Sequence, residues 1–348
     1  MKRIQLLPGL FVLVLVSLAC QRSLPKANPL PPLNTLPPTL PSTTPTPLPS
    51  PTVTPTPLPS PTATETPQPS PTATETPLPS PTVEIGETLV GAGDIAICGL
   101  SFDDQTAALL ESIPGTIFTT GDNSNEDGTL EQYETCFGPN WGRFKERMRP
   151  APGNHDLKGG MDYYTYFGEQ AGPAGQGYYS YDLGSWHILS LNSICLYDNS
   201  CGPGSPQYDW LMNDLATHPN QCSLAYWHHP FFSSGVHGNN PEIQPLWQLL
   251  HIGGVEIVLN GHDHHYERFA PQDAFAQRDE ERGIRQFIVG TGGAFLRSLP
   301  SERAINSELA LDDHYGVLRL TLYQGRYEWA FVDINGQILD SGQGSCHP

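Results

Sequence analysis

Residues 21–82 of this 348-residue chain repeat a proline pattern with a ten-residue period, and they cannot take regular structure. Pro-Leu-Pro-Ser-Pro-Thr stands at 47–52, again at 57–62 and again at 77–82. Each proline fixes φ and lacks an N–H, so neither a helix nor a sheet ladder can propagate through the segment. The expectation is a disordered Pro/Ser/Thr-rich stalk. Such a chain stays extended at about 3.1 Å per residue and reaches at most ~180 Å. Its threonines and serines are candidates for O-glycosylation. A proline-rich ligand for a partner module is the rival reading, and the repeats lack the basic flanks it would want. Everything that folds must therefore come from 83–348.

Ahead of the stalk, Lys2 and Arg3 precede an apolar run over 6–19. The run is too short and wrongly flanked for an ordinary spanning helix and reads as a signal peptide, residues 1–20. Ser17-Leu18-Ala19-Cys20 resembles a lipoprotein signal in which Cys20 is lipidated, although Ser17 stands where an aliphatic residue is usual. The partner expected there is a membrane, reached through an N-terminal lipid anchor on an extracytoplasmic protein. Plain secretion is the alternative.

The remaining 266 residues fit one large α/β domain, with no second linker-like composition. They carry 13 of the 17 basic and 34 of the 36 acidic side chains, a net charge near −21. No nucleic-acid-binding surface is evident, since that would be basic. Most of these charges read as a soluble surface. Their summed field nevertheless repels anions, so salt should help an anionic substrate to bind. Six cysteines remain: Cys98, Cys136, Cys195, Cys201, Cys222 and Cys346. An even count behind a signal peptide points to disulfides. Cys195 and Cys201 are close enough to staple a loop. Elimination alone then favours Cys98 with Cys136 and Cys222 with Cys346. Metal ligation by cysteine lacks support, because the domain has no Cys-x-x-Cys.

Short apolar runs alternate with amphipathic stretches, as in an α/β fold. Strands are expected at 88–91, 116–120, 223–227 and 255–259, a hairpin at 177–183 and 186–192 turning at Gly184-Ser185, and a β-rich end at 285–290, 315–322 and 327–333. Helices are expected at 102–111, in part of 130–147, and at 205–216, where Ser205 serves as N-cap and Pro206 as first helical residue. Five short motifs fall where an apolar run stops: Gly93-Asp94, Gly121-Asp122-Asn123, Gly153-Asn154-His155-Asp156, His228-His229-Pro230 and Gly261-His262-Asp263-His264. Strand carboxyl ends are where α/β sheets place ligands. The carboxylates, amide oxygen and imidazoles delivered there suit two metal ions, and two-metal sites serve phosphoryl transfer.

In this order the motifs resemble the calcineurin-like metallophosphoesterase superfamily. Within it, Gly261 through Arg268 and the run Tyr178-Tyr179-Ser180-Tyr181-Asp182 most resemble the purple acid phosphatases. The resemblance covers about 89–333 and implies an α/β fold, a two-sheet β-sandwich core flanked by helices in four layers. It implies that Asp94, Asp122 and His264 bind a first metal, and that Asp122 bridges to a second held by Asn154, His228 and His262. His155 would serve the leaving oxygen, with Asp156 orienting it. The implied reaction is hydrolysis of a small phosphorylated substrate, foremost a phosphomonoester, by a two-metal-activated hydroxide. Phosphodiesterase or nucleotidase action is the alternative on the same site. A catalytically inactive surface binding protein is the alternative of another class, and the retention of His155 argues against it. The chain departs from the family at Asn125, where purple acid phosphatases carry a ligating tyrosine. No purple colour is therefore expected, and a first site less selective for iron(III). Iron, manganese and zinc all suit the mixed N/O shell.

Other features have plainer readings. His187, His218, His237, His251 and His314 lack motif context and read as surface or structural residues, with His237 near enough to reach the site. His229 and His265 adjoin ligands. Gly290-Thr291-Gly292-Gly293 reads as a tight turn rather than a phosphate cradle. Tyr163, Tyr164, Tyr166 and Phe167 read as packing rather than a substrate wall.

Overall fold

The computed structural model describes residues 85–219 and 222–347. The expected signal peptide with Cys20, and the whole of the expected stalk, lie outside the described residues. Among those described, no helix is long and apolar enough to cross a membrane.

Two sheets form the domain. The first runs β13-β12-β11-β1-β2-β3. Its strands are β1 (Glu87–Ala92), β2 (Thr116–Thr120), β3 (Met148–Ala151), β11 (Gly316–Tyr323), β12 (Arg326–Asp333) and β13 (Ile338–Ser345). The second runs β10-β8-β9-β7-β6-β5-β4. It comprises β4 (Tyr179–Leu183), β5 (Trp186–Ser190), β6 (Cys222–Tyr226), β7 (Ile257–Asn260), β8 (Tyr266–Phe269), β9 (Arg285–Val289) and β10 (Ser307–Leu311). This is the expected two-sheet core with flanking helices.

Alternation along the strands explains why the sheets stack. Leu224 and Tyr226 of β6 join one apolar cluster with Leu89, Phe118, Leu318 and Phe331 of the first sheet. Ala225, between them, joins a second cluster with Leu211 of α4 (Pro206–Thr217) and Leu246 and Leu250 of α5 (Gln244–Ile252). A period of two thus buries both faces of the second sheet, one on its partner sheet and one under helices. The hairpin turns where expected, with Leu183 paired to Trp186 and Gly184 at φ 62°. The Ser205 hydroxyl accepts from the Tyr208 N–H, capping α4 ahead of Pro206.

Strands β1, β2 and β3 are parallel to one another, as are β5, β6, β7 and β9. Their carboxyl ends therefore gather along one rim of each sheet. The rims are joined directly: the Gly93 N–H donates to Val289 O (2.8 Å), and the Gly292 N–H to Gly93 O (2.9 Å). Disulfides close Cys98–Cys136, Cys195–Cys201 and Cys222–Cys346, as paired in the sequence reading.

Candidate metal centre

Asp94 follows β1, Asp122 follows β2, Asn154 follows β3, His228 follows β6, and His262 and His264 follow β7. Asp94, Asp122 and His262 sit at φ 56°, 50° and 69°. Left-handed backbone is costly for residues with a Cβ and persists where the surroundings demand it. Here it turns each side chain back across the strand end. Room for this comes from the adjoining glycines. A Cβ on Gly153 would lie 2.1 Å from Asp122 Oδ1, and one on Gly121 2.8 Å from His228 Nδ1.

All six expected ligands converge. Asp94 and His228 are fully buried, and Asp122 and His264 nearly so. His264 Nε2 lies 3.2 Å from Asp94 Oδ1, and His228 Nε2 lies 3.2 Å from Asp122 Oδ2. That same His228 nitrogen is 3.1 Å from Asn154 Oδ1 and 3.2 Å from His262 Nδ1. Rings are fixed from behind. His228 Nδ1 is 2.8 Å from Thr120 O, and His264 Nδ1 is 2.7 Å from Phe295 O. A carbonyl accepts only, so both Nδ1 atoms carry hydrogen and both Nε2 atoms face the site. This is how backbone carbonyls orient ligating imidazoles.

The charges call for a cation. The two buried carboxylates face imidazoles rather than lysine or arginine among the described residues. Burial opposes charging His228, yet the Asp122 and Asp94 carboxylates overcome it and push its pKa up to about 9. Burial likewise opposes ionising Asp94, and His264 outweighs it to hold the carboxyl below its usual range. Burial, then His228 and His237, force the His262 imidazole far down. Ligand atoms of Asp94, Asp122 and His228 lie within 4.8 Å of one another. A single proton cannot satisfy carboxylate, amide oxygen and imidazole lone pairs converging on one point. Two metal ions can, and the N/O donors fit iron, manganese or zinc.

His155 faces the same space without being a ligand candidate. Its N–H donates to Asp122 Oδ1 (2.8 Å), and its Nε2 lies 3.9 Å from Asp122 Oδ2. Its Nδ1 is 2.5 Å from the Glu126 carbonyl, to which Lys158 Nζ also donates (3.0 Å).

Asp156 departs from the sequence expectation, because its contacts lie elsewhere than on the His155 ring. It is fully buried and accepts from the Asn123 and Gly153 N–H groups (3.2 and 2.8 Å), the Asn123 side chain (3.0 Å), the Ser124 N–H (3.2 Å) and the Tyr133 hydroxyl (2.5 Å). It clamps the loop after β2 to the loop after β3 and so places Asp122, Asn154 and His155 together. Glu126 O holds the His155 ring instead. Behind the clamp, Tyr133 stacks on Tyr166 at 4.9 Å and meets Phe167 edge-on at 5.6 Å, so these aromatics are packing as expected. Gly292 lies in a bend after β9, and its N–H donates to Gly93 O (2.9 Å).

Asn125 donates to Asp94 Oδ1 (3.3 Å), which puts the position that departs from the resemblance beside an expected ligand of the first ion. Of the other neighbours, His229 adjoins a ligand and His237 reaches the site, while Tyr197 and Arg297 carried no motif. Tyr197 meets His229 Nε2 (3.1 Å), and the His229 and His237 rings lie 4.2 and 4.3 Å from that of His262. Arg297 contacts the His237 ring and donates its N–H to His264 O (3.1 Å). They come from irregular segments and, for Tyr197, the end of a short 3-10 helix, where single-residue spacing carries no signal.

Residues 89–266 match a family model described as calcineurin-like phosphoesterase. Purple acid phosphatase 15 of Arabidopsis thaliana is 28% identical over 245 residues, 58% of this chain and 45% of that protein. Acid phosphatase type 7 of Mus musculus is 27% identical over 224 residues, 54% of this chain and 50% of that protein. The chain thus spans about half the length of these curated relatives. Among solved structures, a purple acid phosphatase from yellow lupin (Lupinus luteus) seeds superposes with a TM-score of 0.61 at 20% identity, covering 76% of this chain and 54% of that one.

Proposed function

The chain belongs to the calcineurin-like phosphoesterase family, and from that premise we propose that it hydrolyses phosphate esters, foremost phosphomonoesters, at a centre holding two metal ions. The observation that carries the reading is the convergence of six ligating side chains from both sheets on one rim, with the non-ligand His155 facing the same space.

Asp94 and His264, with Asp122, would hold the first ion; Asp122, Asn154, His228 and His262 the second. When bound, the ions supply Lewis acidity and lower the pKa of a water. The protein does the rest. Asp122 offers one oxygen to the His228 side and holds the His155 N–H with the other, so it fixes donors and leaving-group residue as one unit. Asn154 contributes an amide oxygen without further charge, preserving the cations' pull on the ester. His155, steadied through Nδ1, presents Nε2 toward the site and stabilises charge on the leaving oxygen.

We place the catalytic domain at 83–348, behind a 21–82 spacer and a 1–20 lipoprotein-type signal, on the outer side of a membrane. The three disulfides and the acid phosphatase relatives support an oxidising, extracytoplasmic setting. The test is hydrolysis of p-nitrophenyl phosphate and bis-p-nitrophenyl phosphate by the full chain, metal-free and with manganese, zinc or iron, with Asp122→Asn as control. Metal-dependent turnover, lost in the variant and faster on the monoester, is expected. A folded protein that turns over neither ester with any metal would replace the enzyme reading with that of a surface binding protein.

A further inference from the structure

Three exposed apolar residues stand on separate segments of the chain, each next to an imidazole of the site. Tyr197 is 62% exposed, Val236 56% and Phe295 58%. Tyr197 turns its hydroxyl inward to His229, whose ring lies 4.2 Å from His262, and leaves its own ring to solvent. Val236 adjoins His237 in the chain, and the His237 ring lies 4.3 Å from that of His262. Phe295 holds His264 Nδ1 through its carbonyl. Single exposed apolar residues need no explanation. Three placed on separate segments beside the imidazoles of one charged centre are another matter, because apolar surface grouped at one place marks a binding surface.

The charge distribution points the same way. Residues 83–348 carry a net charge near −21, and among the described residues the cations in contact with the site's histidines are Lys158 and Arg297. A substrate bearing phosphates or carboxylates beyond the reacting group would meet that field with few partners.

Resting on the phosphoesterase reading, we infer that the natural substrate carries one phosphoryl group on an apolar alkyl or aryl body, which the Tyr197, Val236 and Phe295 rim covers while the phosphoryl group sits at the ligating side chains. The rim is thus a specificity element, and the residues behind it place the ester.

The experiment uses the metal-loaded full chain and n-alkyl phosphates from ethyl to octyl, in which the leaving alcohol's chemistry is constant and only apolar area changes. We expect kcat/KM to rise at least tenfold along the series; complete burial would give roughly fourfold per methylene. Inositol hexakisphosphate should fall below ethyl phosphate. Replacing all three residues (Tyr197→Ser, Val236→Ser, Phe295→Ser) should flatten the octyl-to-ethyl ratio toward one, and these exposed positions leave the fold intact. A flat series in the unaltered protein, or a preference for the polyanion, overturns the inference while the esterase reading stands. In parallel, calorimetry with ethyl- and octylphosphonate reads the rim without turnover. If no ester is hydrolysed, the esterase reading fails, and the rim is then supported by tighter octylphosphonate binding or refuted by equal binding.

Discussion

Replacing Gly153 with alanine should disable the centre while sparing the fold. The added Cβ would lie 2.1 Å from Asp122 Oδ1 and 2.3 Å from the Asp122 backbone nitrogen. Carbon needs roughly 3.4 Å from such an atom, so Asp122 or the Gly153 loop must move by about 1 Å. Neither can move freely. Asp122 is held by His155 and faces His228, while the Gly153 N–H is bound to Asp156. A displacement of about 1 Å at a reacting centre costs on the order of 10²-fold in rate. Gly202→Ala is the control, since its Cβ would meet only Pro245 at 3.9 Å. The assay is kcat/KM on p-nitrophenyl phosphate with saturating metal, beside thermal melts of both variants. We expect Gly153→Ala to lose about two orders of magnitude with the fold retained, and Gly202→Ala to stay within about twofold of the parent. A Gly153→Ala protein within twofold of the parent would refute the claim that close approach of these two loops sets the site.

Other consequences follow from single residues. His155→Ala should lower kcat by about 10²-fold or more while bound metal, read by elemental analysis, is unchanged, if the ring serves the leaving oxygen and not the ions as proposed. Asn125→Tyr should give visible absorbance on loading with ferric iron, since position 125 lies against Asp94; a colourless ferric form would show that the side chain cannot reach the ion. Glu256 is a stability probe far from this chemistry. Burial raises its pKa from 4.5 to about 7, only partly offset by the Ser223 and His347 N–H groups. The unfolded chain ionises first, so the stability from the protonated carboxyl is full below pH 4.5 and lost as pH rises through about 7. Glu256→Gln should match the parent near pH 4 and exceed it by about 3 kcal/mol above pH 8 in denaturant melts, and a pH-independent difference would contradict this.

The candidate site was legible because each motif ends an apolar run, and the parallel pairing of those runs then gathers the motifs. The two-sheet fold followed from the resemblance those motifs carry, with strand periodicity supporting it. What escaped was encoded weakly. Strand β3 is Met-Arg-Pro-Ala, with no alternation and a proline that cannot donate. Strand β13 is rich in glycine and polar residues, as an edge strand can be. Asp156 was assigned to the ring next to it in sequence, whereas its hydroxyl partner, Tyr133, stands 23 residues earlier on a helix. Tyr197 and Arg297 join the site by loop geometry alone, which has no period to read.

The central claim is that one chain holds two ions whose joint presence permits turnover. It is tested by stripping the full protein with chelator, titrating back manganese, and following bound metal and p-nitrophenyl phosphate hydrolysis together. The account predicts activity that is abolished by stripping and saturates at two equivalents per chain, with Asp122→Asn failing to reach two. Turnover that survives stripping, or that saturates at one equivalent, would contradict it.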